Sequence, residues 1–168
     1  MTPSYNQKEH VLHLIYESFD QVLLEDGVSL HETIAIDNYY ATDKEEVQIK
    51  NDERKDWKKL IDDPELEKIH GIGGLCFYDA KGLRFHLPAY MCLTIHKPYA
   101  DVNESLMFTL THLEAYNLER FAILTVEQKK AVKVFLTYIW YNTGFAFEYN
   151  FAEIEAAIRD YWGGGAVR

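Results

Sequence analysis

Residues 73–91 constrain this chain more than any other stretch. They read Gly-Gly-Leu-Cys-Phe-Tyr-Asp-Ala-Lys-Gly-Leu-Arg-Phe-His-Leu-Pro-Ala-Tyr-Met. A short apolar run is followed by the turn-forming residues Asp79, Ala80, Lys81 and Gly82, and then by strict alternation. On an extended chain Leu83, Phe85 and Leu87 face one way, Arg84 and His86 the other. Pro88 suits the first position of a helix, where its missing N–H needs no partner. The pattern predicts a β-hairpin over about residues 74–87 feeding a helix that runs to Ile95. The expected fold class is α+β: a mostly helical single domain over residues 1–168, with one central hairpin packed by helices. Residues 1–4 and 163–168 are expected to fray.

Helical signals flank this stretch on both sides. Val11, Ile15, Phe19 and Val22 recur at helical spacing behind Ser4 and Gln7, which fit a capping box. Gly27 is placed to end that helix in a left-handed cap. Ser29-Leu30-His31-Glu32 fits a second box, opening a short helix towards Tyr39 and Tyr40. Residues 43–59 mix charges of both signs and read as a solvated loop into a short helix, 52–61, anchored by Trp57 and Leu60. Pro64 ends it. Gly71-Ile72-Gly73-Gly74 reads as a flexible lead into the hairpin, because a phosphate loop needs a strand before it or Gly-Lys-Ser/Thr after it. Residues 101–116 predict one helix. Thr125 and Gln128 form the clearest capping box, ahead of a stripe of Ala131, Val134, Phe135, Tyr138 and Ile139. Asn142-Thr143-Gly144 stops that helix, and Asn150 caps a last one carrying Phe151, Ile154, Ile158 and Tyr161.

Charge and composition narrow the function classes. The formal net charge is −10 over 168 residues. A nucleic-acid or anionic-membrane surface needs the opposite sign, so neither partner is expected, whereas a basic protein is. No apolar run approaches the ~18 residues of a membrane span. Two cysteines, Cys76 and Cys92, are too few for a disulfide framework. With no leader pattern ahead of the first helix, the expected compartment is the cytoplasm.

Several side-chain sets could carry chemistry. His10, His13 and Glu17 share one helical face, and two imidazoles with a carboxylate are a possible start of a metal site. The sequence names no further ligand, so a solvated polar stripe competes and no cofactor is expected. Cys92 and His96, four apart, could pair as thiolate and base. Nothing marks an oxyanion hole or a third residue, and buried cysteine is commonly a small core side chain. Arg84 and His86, on the strand face opposite Leu83, could form an exposed polar surface. Asp62, Asp63 and Glu65 could dock a basic protein, with Tyr39 and Tyr40 as aromatic anchors.

Four elements together resemble a family of small bacterial proteins catalogued as a domain of unknown function. They are Ser29-Leu30-His31-Glu32 with Asp37; Asp52-Glu53 ahead of Asp56-Trp57; Gly82-x-Arg84-Phe85-His86-Leu87-Pro88-Ala89-Tyr90, where the family often has Tyr in place of His86; and Leu124-Thr125-x-x-Gln128 with Phe135-Leu136-x-Tyr138. The resemblance implies a bacterial, cytoplasmic protein and carries over no catalytic residue. The function expected is a non-catalytic protein-binding domain. Its most concrete form is an immunity protein that neutralises a basic toxin or effector through Asp62, Asp63, Glu65, Tyr39, Tyr40, Arg84 and His86. The alternative is a metal-binding or hydrolytic enzyme using His10, His13 and Glu17, or Cys92 and His96. A homodimer pairing hairpin edges is a further expectation.

Overall fold

The computed structural model describes residues 5–68, 74–142 and 151–164, and among these there is no strand. The described architecture is therefore all-α, and the expected α+β fold with its hairpin is overturned. The elements are α1 (Tyr5–Ser18), α2 (Glu32–Asp37), α3 (Asp43–Asn51), α4 (Pro64–Lys68), α5 (Ala80–His96), α6 (Val102–Thr111), α7 (Ala115–Phe121), α8 (Val126–Asn142) and α9 (Phe151–Ala157). Two 3-10 turns, Trp57–Leu60 and Leu75–Phe77, precede α4 and α5, and a π turn, Ile158–Trp162, extends α9.

The supposed second strand is the first half of α5. Asp79 is an N-cap, not a hairpin turn: its Oδ1 accepts the Gly82 N–H at 2.7 Å. Alternation fails as a strand signal because burial does not alternate. From Gly82 to Ile95 every residue but Arg84 is buried. A helix apolar on nearly all sides belongs in the middle of a core rather than on its surface. Pro88 sits inside α5, where it withholds the N–H that would reach the Arg84 carbonyl. In exchange α5 buries Phe85, Leu87, Tyr90, Met91 and Leu93, each worth roughly 1.5–3 kcal/mol when fully removed from water. With no strand, there is no hairpin edge among the described residues for a homodimer to pair.

The other helices pack around α5. α1 buries Val11 and Ile15, with Phe19 just past its end, and packs on α8 and α5. α6 and α7 also pack on α5, and α9 closes on α6 and α8. Two indoles lock this arrangement. Trp57 Nε1 donates to the Phe19 carbonyl at 2.9 Å, and Trp162 Nε1 to that of Leu110 at 2.8 Å. The Thr125–Gln128 capping box is present in both directions, at 3.1 and 3.0 Å. Of the other sequence signals, Ser4, Gly71 to Gly73, Thr143, Gly144 and Asn150 lie outside the described residues.

Several local expectations change. The charged segment after Tyr40 is not a loop: Thr42 and Glu45 form a full capping box that starts α3. The helix expected over 52–61 shrinks to the 3-10 turn, though Trp57 and Leu60 are buried as expected. Residues 101–116 break into α6 and α7. Gly27 takes no left-handed conformation; Gln21 and Glu25 do, at φ 60° and 57°. Gly27 is there for proximity. A Cβ on it would lie 2.7 Å from the Gly82 nitrogen, and a Cβ on Gly82 would lie 2.5 Å from the Val28 carbonyl oxygen. The chain after α1 thus crosses the first turn of α5 backbone to backbone, and the Val28 N–H donates to Asp79 Oδ1 at 2.9 Å.

Candidate functional site

This crossing carries residues 28–31 into α2, beside the last turn of α3. Ser29 and His31 are both buried there. The Ser29 N–H donates to Glu32 Oε2 at 2.6 Å, half of the expected capping box. The Ser29 hydroxyl does not complete the box; it donates to Asp52 Oδ2 at 2.5 Å. The His31 N–H donates to the same oxygen at 2.9 Å, and His31 Nδ1 to Asp52 Oδ1 at 2.5 Å. Across the ring, His31 Nε2 faces Glu65 Oε2 of α4 at 3.6 Å. Three separate stretches therefore meet on one imidazole.

The electrostatics follow from that geometry. Its bond to Asp52 raises the His31 pKa above the ordinary histidine value, against the opposing effect of burial, and Glu65 adds to the rise. Burial pushes the Asp52 carboxyl upward, but the hydrogen bonds from His31 and Ser29 outweigh it and leave the group below its usual range. Ser29 and the His31 ring do not bond each other; both bond Asp52. The Ser29 hydroxyl proton is given to the Asp52 carboxylate and not to the His31 ring.

Two hollows flank α3. A polar cleft of ≈ 320 Å³ is lined by His31, Gln48, Asn51, Asp52, Glu53, Lys59 and Asp63 among others. A more apolar hollow of ≈ 440 Å³ is lined by Val28, Glu32, Ala35, Ile36, Tyr39, Tyr40 and Ile49. Tyr39 is 96% exposed and Tyr40 67%. Tyr39 holds φ at 64°, in the left-handed region, where an L side chain costs about 1–2 kcal/mol.

The residues singled out in the sequence scatter. Asp62 is exposed. Asp63 is engaged in starting α4, its Oδ1 accepting the Glu65 N–H at 2.9 Å. Glu65 pairs with Lys68 at 3.0 Å as well as facing His31. Tyr39 and Tyr40 line the hollow on the Ile49 side of α3, away from the Asp63 cleft. Arg84 and His86 do not share a surface, because two residues apart on a helix they point in different directions. Arg84 donates to Glu25 Oε1 at 2.9 Å. His86 is fully buried, stacked on Tyr78 with ring centres 4.3 Å apart, its Nδ1 2.7 Å from the Gly82 carbonyl. No partner can touch it. Burial lowers its pKa to about 4, so it is neutral.

Neither candidate catalytic set is drawn together among the described residues. His13 and Glu17 pair at 3.1 Å on the exposed face of α1, and His10 lines a groove against α8. Among the described residues no three His, Cys, Asp or Glu side chains are grouped to hold a metal ion. Cys92 is buried, with burial pushing its thiol up to about 12, while His96 is exposed at the end of α5. A reactive thiol needs the opposite shift.

The buried cluster that sequence reasoning missed was partly visible. Ser29-Leu30-His31-Glu32 and Asp52-Glu53 are two of the four elements that carry the family resemblance, and they meet here in space. No helix among the described residues is long and apolar enough to cross a membrane. No curated protein and no solved structure matches the chain. A model of a family of unknown function, DUF6714, matches residues 7–164, and the chain belongs to that family.

Proposed function

We propose that this chain is a non-catalytic binding protein whose working surface is the end of α2 around Tyr39 and Tyr40. The observation that carries the reading is Tyr39 itself: an aromatic side chain 96% exposed on a backbone of positive φ. Strain of that kind persists where the surrounding structure imposes it, and it concentrates at binding and switching sites. Tyr40, Ile36 and the ≈ 440 Å³ hollow supply apolar area beside it. Residues 32–51 carry five carboxylates against two lysines, so the surrounding field favours a basic partner. The concrete form of the proposal is an immunity protein that occludes a basic toxin. Asp62 supplies peripheral charge. Asp63 and Glu65 are tied into α4 and the His31 cluster, so their reversal would disturb folding before it disturbed docking.

The test is capture of a partner from the source cell, followed by titration of that partner with wild type, Tyr39→Ala, Tyr40→Ala and Asp62→Lys. Anchor tyrosines are expected to weaken binding by about thirtyfold or more each, the scale of a 2 kcal/mol hot spot. Asp62→Lys is expected to slow association and reduce its salt dependence. Unchanged affinity in the Tyr39→Ala/Tyr40→Ala double variant would refute the surface assignment.

A further inference from the structure

We propose that His31 is a proton-operated latch: protonated, it ties α2, and with it the Tyr39–Tyr40 end, to α3 and α4; deprotonated, it lets α2 loosen. The inference rests on the docking reading above and adds its regulation. α2 has only six residues, far too few to be stable alone. The His31 cluster holds its first turn, and the helix packs besides on the Leu75–Phe77 turn. The His31 backbone and ring both bond Asp52, at the C-cap of α3, and the far side of the ring faces Glu65 of α4. Tyr39 follows the last residue of α2 by two positions, so the orientation of this short helix sets where that ring is presented.

Losing the proton changes both sides of the ring. Nδ1–H still donates to Asp52. Nε2, buried and without a hydrogen-bond partner, then presents a lone pair to the Glu65 carboxylate, acceptor against acceptor. Asp52, its side chain 3% exposed, loses the positive charge beside it. The other groups around the ring do not replace that charge. Glu32 on α2 is 3.9 Å from Arg54, Lys59 lies 3.6 Å from Glu53, and Asp63 and Lys68 are engaged with Glu65. His86 of α5, which feels the Asp52 charge, is a neutral ring. The sign follows from these contacts. A histidine whose folded-state affinity for a proton exceeds the unfolded one stabilises the folded form below about pH 6.5, and that contribution is lost as pH rises through the folded-state midpoint. The latch is closed in acid and opens towards alkaline pH.

Amide hydrogen exchange over residues 33–37, corrected for intrinsic rates, tests this on the protein alone, together with the ring resonances of His31. The expected result is a His31 midpoint above 6.5. Between 6.5 and that midpoint, α2 protection should fall by up to about tenfold per pH unit, the limit for one linked proton. His31→Gln should make α2 protection independent of pH over this range. Glu65→Gln, which leaves the Asp52 bonds intact, should lower the midpoint and serves if His31→Gln does not fold. A His31 midpoint at or below 6.5, or the same slope in His31→Gln, would overturn the latch. The docking reading stands or falls separately: flat α2 protection with Tyr39-dependent binding removes the latch alone, and a working latch with Tyr39-independent binding removes the surface alone.

Discussion

Gly82→Ala is the sharpest test of how the fold is held together, because two ordinary arguments about it have opposite signs. Gly82 lies in the first turn of α5 with no left-handed backbone, so helix propensity favours alanine there by about 1 kcal/mol. Packing opposes it. The new Cβ would lie 2.5 Å from the Val28 carbonyl oxygen, 2.8 Å from Asp79 Oδ1 and 3.1 Å from Tyr78 Cδ1. The first contact is backbone, and the second is the carboxylate that caps α5 and also accepts the Val28 N–H. Relief requires the 27–29 segment to back away, which breaks that bond. Overpacking costs about 1–3 kcal/mol, and losing a hydrogen bond to a charged group a further 1.5–3. Less the propensity gain, the expected destabilisation is about 2–5 kcal/mol, or roughly 5–15 °C in Tm for a chain of this length. Urea and thermal denaturation followed by far-UV circular dichroism measure it. An unchanged or raised Tm would show that the crossing at Gly82 is looser than described and that propensity decides.

His86 gives the fold an acid sensitivity opposite in sign to that of His31. Burial holds it neutral down to about pH 4, while the unfolded chain takes up that proton near 6.5. Stability should therefore fall between pH 6.5 and 4 by up to about 3 kcal/mol, and urea midpoints of His86→Gln should lack that portion of the fall. At Tyr39, glycine removes the strain of φ 64° and should leave stability unchanged or raise it by up to about 1 kcal/mol, while abolishing the proposed partner affinity. Loss of stability in Tyr39→Gly would mean that the ring packs rather than docks. Arg120→Lys should cost about 2–4 kcal/mol of stability by chemical denaturation. The buried guanidinium donates through one nitrogen to the Leu75 and Tyr78 carbonyls and through the other to Asn117, a fork that an ammonium group cannot reproduce.

Much of the fold was readable and one central part was not, for a physical reason. Val11, Ile15 and Phe19, or Thr125 with Gln128, sit at a boundary between core and water, and there periodicity reports which side is which. α5 has no such boundary. With every position from Gly82 to Ile95 but Arg84 buried, the order of large and small apolar residues is set by packing, and Leu83, Phe85 and Leu87 alternate with Arg84 and His86 by coincidence of a short window. Asp79 and Gly82 then reinforced the error, since an Asp three residues before a Gly serves a turn and an N-cap equally well. The candidate site was legible in pieces. Tyr39 and Tyr40 are exposed as expected, but Ser29, His31 and Asp52 form a cluster only because α3 follows α2 closely enough to bring its C-cap back beside His31. A helical face, such as that of His10, His13 and Glu17, is visible in sequence; a meeting of two faces is not.

The burial of α5 on nearly every side also bears on how the chain is made. Synthesis runs from the N-terminus, so α5 is finished at His96 while Phe121, the end of α7, is still 25 residues away. At roughly 5–20 residues per second that interval lasts about 1–5 s. During it α1 and the Trp57 turn can cover only part of the helix, and the faces meant for α6 and α7 stand open to any apolar surface nearby. Truncations after α5 should be far more aggregation-prone than truncations before it, although they contain more of the finished protein.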